Sequence, residues 1–124
     1  MEHVVLIHGL GGTKSSFYET VSGLAPRYTV HTIDLPGFGA SSKSSRAPYD
    51  YPWFARAVIR FLDAEGIRRA HLVGNSLGGR IAIEVGLAAP ERVNSLSLLT
   101  PSLAWRKHRA LVPLVKLLRP ELAA

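Results

Sequence analysis

Residues 70–89 read AHLVGNSLGGRIAIEVGLAA, and the rest of the chain is organised around this stretch. The short run at 71–73 is typical of a strand that is buried on both faces. The segment at 80–89 is rich in isoleucine and alanine and stops before Pro90, which predicts a buried helix ended by proline. The glycine-rich turn GNSLGG at 74–79 joins the strand to the helix.

Ser76 stands at the centre of a G-x-S-x-G pattern, with Gly74 and Gly78 two residues to either side. A serine on a sharp strand-to-helix turn has a strained backbone, so only small residues fit beside it. The helix that follows directs free N–H groups and the positive end of its dipole toward an oxyanion formed at the serine. The pattern therefore predicts a nucleophile elbow, with Ser76 as nucleophile and the N–H of Leu77 as an oxyanion donor.

A second strand-to-loop junction lies near the start of the chain, where the apolar run 4–7 leads into HGLGG at 8–12. This loop could supply a second backbone N–H to the same site. Together with DLPGFGAS at 34–41 and GNSLGG at 74–79, it makes the chain resemble the α/β-hydrolase family. The resemblance implies that Leu10 is the second oxyanion donor and that His8 shapes its loop.

The remaining residues of the two loops are expected to shape the site. The full predicted set is His8, Gly9, Gly74, Asn75, Gly78 and Gly79. Asn75 has two possible roles, either to tolerate the tight turn or to contact substrate, and the turn is favoured. Asp34 precedes Pro-Gly at a strand end, where a carboxylate accepts loop N–H bonds more often than it serves as a catalytic acid.

The order of the predicted elements indicates the α/β class with a parallel sheet. Strands are predicted at 4–8, 28–33, 71–73 and 93–100, and the helix between the second and third begins at an N-cap, Asp50, and ends at Gly66. The resemblance implies three αβα layers and about four strands in the order 2-1-3-4, a partial α/β-hydrolase core. The loops that carry Leu10 and Ser76 then meet where such sheets bind ligands.

Two regions are predicted along the chain: a partial hydrolase core at 1–102 and a helical segment at 103–124. The second is apolar but interrupted by Pro113, which predicts two short helices or one kinked helix. The resemblance implies that it begins the lid over the substrate pocket.

The composition excludes several partners and cofactors. The net charge is +6, and much of it lies in the last segment, so a nucleic-acid surface on the core is not expected. With no cysteine there is no disulfide, thiol nucleophile or thiolate metal site, which favours a reducing, cytoplasmic compartment. No signal peptide, membrane span, metal or cofactor is expected. The predicted partner is a small acyl or ester substrate, and open sheet edges could allow self-association.

The base that Ser76 needs is not evident. In elbow enzymes the order along the chain is serine, acid, histidine. After Ser76 the only histidine is His108, in the basic last segment, and the acids are Glu84, Glu91 and Glu121. Because none of these follows a late strand, the chain is interpreted as the front part of a serine hydrolase, with little activity alone.

Two other functions compete with this interpretation. Residues 9–15 imitate a phosphate loop, but Thr13 occupies the place where that motif needs glycine before lysine. A non-catalytic binding module that keeps the scaffold is the other alternative. The motifs leave the substrate open, because ester, thioester, lactone and carbon–carbon hydrolysis share them.

Overall fold

The computed structural model describes residues 1–9, 17–37 and 46–99. The elements in chain order are β1 (His3–Ile7), α1 (Tyr18–Leu24), β2 (Thr29–Ile33), α2 (Tyr51–Ala64), β3 (Ala70–Asn75), α3 (Leu77–Ala88), a 3-10 turn (Pro90–Arg92) and β4 (Val93–Leu99). The predicted lid segment at 103–124 lies outside the described residues, so its limits stay a prediction. Within these ranges, no helix combines the length and apolar character that crossing a membrane requires.

The four strands form one parallel sheet in the order β2-β1-β3-β4, which confirms the predicted fold class and strand order. In the register, Ile7 lies opposite Ile33 on one side and Gly74 on the other. The last residues of β1 and β2 and the end of β3 therefore lie at one edge of the sheet, its carboxyl edge. The loops that follow these strands all begin there.

Helices cover both faces of the sheet, because successive side chains of a strand point to opposite sides. Val5, Ile7 and Leu72 face the larger core, which is completed by buried side chains of α2 and α3. Val4 and Leu6 face the smaller core, which they form with Phe17 and the partly buried side chains of α1. The three predicted layers are therefore present.

Helix α2 begins and ends as its sequence predicts. The Asp50 carboxylate accepts the N–H of Trp53 at 2.9 Å, which satisfies one of the free donors of the first turn. At the other end Gly66 has φ +67°, and the N–H of Ile67 donates to the Leu62 carbonyl at 2.8 Å. This pairing is the Schellman arrangement, which glycine favours because it lacks a Cβ.

Strand β4 is far less covered than β1 and β3. Leu96, Leu98 and Leu99 are 39, 37 and 52% exposed, whereas Val5 and Leu72 are fully buried. Leu96 also lines a shallow apolar groove between α3 and β4, together with Ile83 and Val93. In the described part of the chain, β2 and β4 are the two sheet edges, and association through them stays a prediction.

Candidate active site

Ser76 occupies the turn between β3 and α3, and its backbone has φ 56° and ψ −115°. Among the described non-glycine residues it shares a positive φ with Tyr49 alone. Such a conformation costs of order 1–3 kcal/mol and persists where the surroundings enforce it. Here the N–H of Ser76 donates to the Leu99 carbonyl at 2.8 Å, and its carbonyl accepts from Gly79 and Arg80 at 3.0 and 3.2 Å. The turn is therefore fixed by β4 on one side and by the first turn of α3 on the other.

The two glycines of the G-x-S-x-G pattern lie where backbone segments touch. A Cβ on Gly74 would overlap the Gly78 carbonyl and would lie 2.5 Å from the Gly79 nitrogen. A Cβ on Gly78 would overlap the carbonyl of Ile7 and would lie 2.6 Å from that of His8. The absence of side chains lets α3 start directly against the ends of β3 and β1.

The loop after β1 lies beside the elbow. A Cβ built on Gly9 would be 3.2 Å from the Asn75 carbonyl and 3.2 Å from Ser76 Cβ. Leu10, the next residue, lies outside the described residues, so the second oxyanion donor stays a prediction. The Asn75 side chain also lies near Gly9, and both of its possible roles remain open.

His8 joins the loops after β1 and β2. Its ring is fully buried, and the Leu35 N–H donates to Nε2 at 3.0 Å. Nδ1 lies 2.8 Å from the Gly9 carbonyl, to which it can bond only as an N–H donor. The ring is therefore a neutral imidazole with its proton on Nδ1. Burial lowers the pKa of His8, and this outweighs the raising effects of the Gly9 carbonyl and Asp34.

The N–H groups of the first turn of α3 point toward the elbow. Gly79 and Arg80 donate to the Ser76 carbonyl, whereas the first N–H groups of any helix have no carbonyl partner within the helix. Leu77 is the first residue of α3, and its side chain is buried. Its N–H lies at the start of α3, where helices favour bound anions, and its role as an oxyanion donor stays a prediction.

A contact between α2 and α3 lies next to the elbow, and it was not predicted from the sequence. The Arg80 guanidinium pairs with Glu84 at 2.8 Å and lies 5.0 Å from the centre of the Tyr51 ring. In the described part of the chain, Tyr51 Oη and Arg80 Nε are buried without a hydrogen-bond partner. The Arg–Glu spacing of four residues signals the ion pair, but only the packing of α2 brings Tyr51 to it. Glu84 is thus engaged with Arg80 rather than placed at the elbow.

The remaining described histidines lie toward the other end of the sheet. His3 begins β1, and its Nδ1 lies 3.0 Å from Nε2 of His31 in β2. His71 is the second residue of β3, five residues before Ser76, a separation of about 17 Å along a strand. Their positions put them out of reach of Ser76. His108 lies outside the described residues.

Comparison with known proteins places this geometry in a family. A family model described as alpha/beta hydrolase fold matches residues 2–118. A pimeloyl-[acyl-carrier protein] methyl ester esterase of Aeromonas hydrophila is 42% identical over 93 residues, which cover 75% of this chain and 35% of the esterase. A 2-hydroxy-6-oxo-6-phenylhexa-2,4-dienoate hydrolase of Comamonas testosteroni is 37% identical over 123 residues, which cover 94% of this chain and 43% of that hydrolase.

A solved structure of similar fold supports the same assignment. The crystal structure of a membrane phospholipase A, a bacterial virulence factor, matches with a TM-score of 0.80 and 44% identity. The match covers 82% of this chain and 33% of the phospholipase chain, so the present chain spans about a third of that protein. The chain belongs to the alpha/beta hydrolase fold family, and the relatives named here are hydrolases.

Proposed function

We propose that Ser76 is the nucleophile of a serine hydrolase that cleaves an ester or a related acyl or carbon–carbon bond in a small molecule. The observation that carries the proposal is the positive φ of Ser76 at the junction of β3 and α3, with Gly9 packed beside it. A strained residue is retained where the surrounding structure enforces it, and such residues cluster at functional sites. The named esterase and hydrolase relatives support this substrate class.

In the proposed reaction, Ser76 Oγ attacks the acyl carbon while its proton passes to a base. The carbonyl oxygen becomes negative and accepts hydrogen bonds from the N–H groups of Leu77 and Leu10. Donors of this kind each lower the barrier by roughly 3–4 kcal/mol, because they are already oriented before charge develops. Gly74 and Gly78 allow the close backbone approach that orients the N–H of Leu77.

The base is not supplied by the described histidines. His8 is nearest the elbow, but its Nε2 already accepts the Leu35 N–H and its Nδ1 donates to Gly9. His3, His31 and His71 lie toward the far end of the sheet. We therefore place the acid and the base outside the described residues. The 124-residue chain by itself should keep only what binding and the oxyanion donors provide, about 10³–10⁴-fold over water.

A fluorophosphonate probe tests the nucleophile directly, because it reacts only with an activated serine. We expect the probe on the peptide that contains Ser76, and no label on that peptide in Ser76→Ala. Hydrolysis of p-nitrophenyl acetate by the chain alone should show negligible turnover. An unlabelled Ser76 peptide in a folded chain would favour the non-catalytic binding module instead. Repeated turnover that is abolished by His108→Ala would show that this histidine is the base.

A further inference from the structure

A second serine–histidine–carboxylate contact lies at the amino end of the sheet. Ser95 Oγ is 2.6 Å from His71 Nδ1, and His71 Nε2 is 3.2 Å from a carboxylate oxygen of Glu2. The three residues come from β4, β3 and the segment before β1, and 69 residues separate Glu2 from His71. No feature of the Ser76 site uses them.

The sheet register creates this contact. His71 lies opposite Ser95, after an irregularity between Ala70 and His71 that shifts the pairing of β4. Asn94, the residue next to Ser95, also approaches the Glu2 carboxylate, at 3.5 Å. The ring of Tyr28 packs edge-on against His71 at 5.8 Å between centroids. The imidazole is therefore held between a hydroxyl, a carboxylate and an aromatic ring.

The carboxylate selects the tautomer of His71. Glu2 can only accept a hydrogen bond, so the neutral ring places its proton on Nε2 and donates it to Glu2. The lone pair of Nδ1 then faces Ser95, whose O–H donates to it. This is the arrangement of hydroxyl, base and orienting carboxylate in a catalytic triad, with the two ring nitrogens exchanged.

The contact is open to solvent. Ser95 is exposed on β4, an edge strand in the described part of the chain, and the side chains of His71 and Glu2 are 24 and 63% exposed. A small ester can therefore reach Ser95 directly from solvent.

We propose that Ser95 is a second acyl-accepting residue, which small activated esters acylate independently of Ser76. Ser95 Oγ bonds to the acyl carbon, its proton passes to His71 Nδ1, and the bond to the phenolate leaving group breaks. The resulting imidazolium is stabilised by Glu2 and then loses its proton to water. The products are an O-acyl serine and a free phenolate.

The reaction at Ser95 should stop at the acylated protein. The N terminus of α3, which serves Ser76, lies at the opposite end of β3, so its donors do not reach an oxyanion formed at Ser95. A general base alone contributes about 10²–10⁴-fold, which accelerates attack by an exposed serine. Deacylation without oxyanion donors is slow, and Ser95 is therefore a site of covalent modification rather than of turnover.

The test treats the Ser76→Ala chain with p-nitrophenyl acetate and follows acetylation of each serine by mass spectrometry. Ser97 is the matched control, because it lies two residues along the same strand, is exposed, and faces Val73 instead of a histidine. We expect Ser95 to be acetylated at least about 100-fold faster than Ser97. Equal rates at the two serines would overturn the proposal.

Two variants examine the roles of His71 and Glu2. His71→Gln should reduce the rate at Ser95 to that of Ser97, in a chain whose circular dichroism is unchanged. Glu2→Gln should slow it by about tenfold, less than the ~10⁴-fold that the corresponding change causes in a buried triad, because Glu2 is largely exposed. If His71→Gln does not fold, the acetylation rate of Ser95 in Glu2→Gln is the test, since this surface change does not disturb packing. A rate at Ser95 that survives whichever variants fold would contradict the proposal.

Discussion

The two ends of the β-sheet each hold a serine, Ser76 at the carboxyl end and Ser95 at the amino end. One serine lies beside a helix N terminus, and the other contacts a histidine. At the carboxyl end, Ser76 has a strained backbone and the N terminus of α3, but the nearby His8 is buried with both ring nitrogens engaged. At the amino end, Ser95 has a histidine and a carboxylate in line, but it lies within strand β4 and its φ is not positive. In our two proposals, the backbone supplies oxyanion donors at the carboxyl end, and side chains supply a base at the amino end. Hydrolysis at a useful rate needs both.

The largest expected effect is a loss of stability, and it tests how closely the elbow packs against the end of β1. Gly78→Ala should lower the free energy of unfolding by at least about 3 kcal/mol, because the new methyl group meets the backbone carbonyls of Ile7 and His8, which cannot rotate away. Gly23→Ala is the control, since a Cβ there meets nothing within 4 Å. It should raise stability by about 0.5–1 kcal/mol in helix α1. Urea unfolding of both variants measures the difference, and equal effects would show that the contact is not close.

The next effect concerns the buried imidazole at the elbow. Burial lowers the pKa of His8 from its ordinary value of 6.5, so below that pH the unfolded chain binds a proton that the folded chain does not. The contribution of His8 to the free energy of unfolding is therefore fully present above about pH 6.5. It is lost as the pH falls, by up to about 1.4 kcal/mol per pH unit. Burial, and then the charge of His3, shift the pKa of His31 in the same direction.

Unfolding in urea between pH 7 and pH 5 measures this dependence. His8→Gln should lower the free energy of unfolding by about 1–3 kcal/mol at pH 7, since it removes one buried and one partly buried hydrogen bond, and it should make stability less dependent on pH. His31→Gln should reduce this dependence less, because His31 is only partly buried. If neither substitution changed the slope of unfolding free energy against pH, other residues of the chain would cause the loss of stability in acid.

The smallest effect compares the two serines by one substitution. Ser76→Gly should stabilise the fold by about 1 kcal/mol, because glycine adopts the positive φ without strain. Ser95→Gly should destabilise it by about 0.5–1 kcal/mol, because glycine loses more backbone freedom in a strand. Thermal unfolding of the two variants measures whether each substitution raises or lowers the melting temperature. If both substitutions shifted the melting temperature in the same direction, backbone strain would not distinguish Ser76 from Ser95.

The sequence by itself determined the features that depend on neighbours along the chain. The alternation of apolar runs and turns predicts the α/β class, and the resemblance adds the strand order β2-β1-β3-β4, which the structure confirms. The Asp50 cap and the Gly66 terminus of α2 were predictable because their hydrogen bonds join residues no more than five positions apart. The G-x-S-x-G pattern located the elbow for the same reason, since Gly74 packs against the backbone of Gly78 and Gly79 within six consecutive residues.

Only the tertiary structure decided which distant groups meet. Gly78 must lack a side chain because β1 ends against it, and the tautomer of His8 depends on Leu35, which follows another strand. Likewise, no pattern in the sequence relates Glu2, His71 and Ser95 to one another. The irregular register of β4 brings Ser95 opposite His71, and the pairing of β1 with β3 brings Glu2 beside the ring. Register is set by packing of the whole sheet, so contacts between strands do not follow from the local sequence of any one strand.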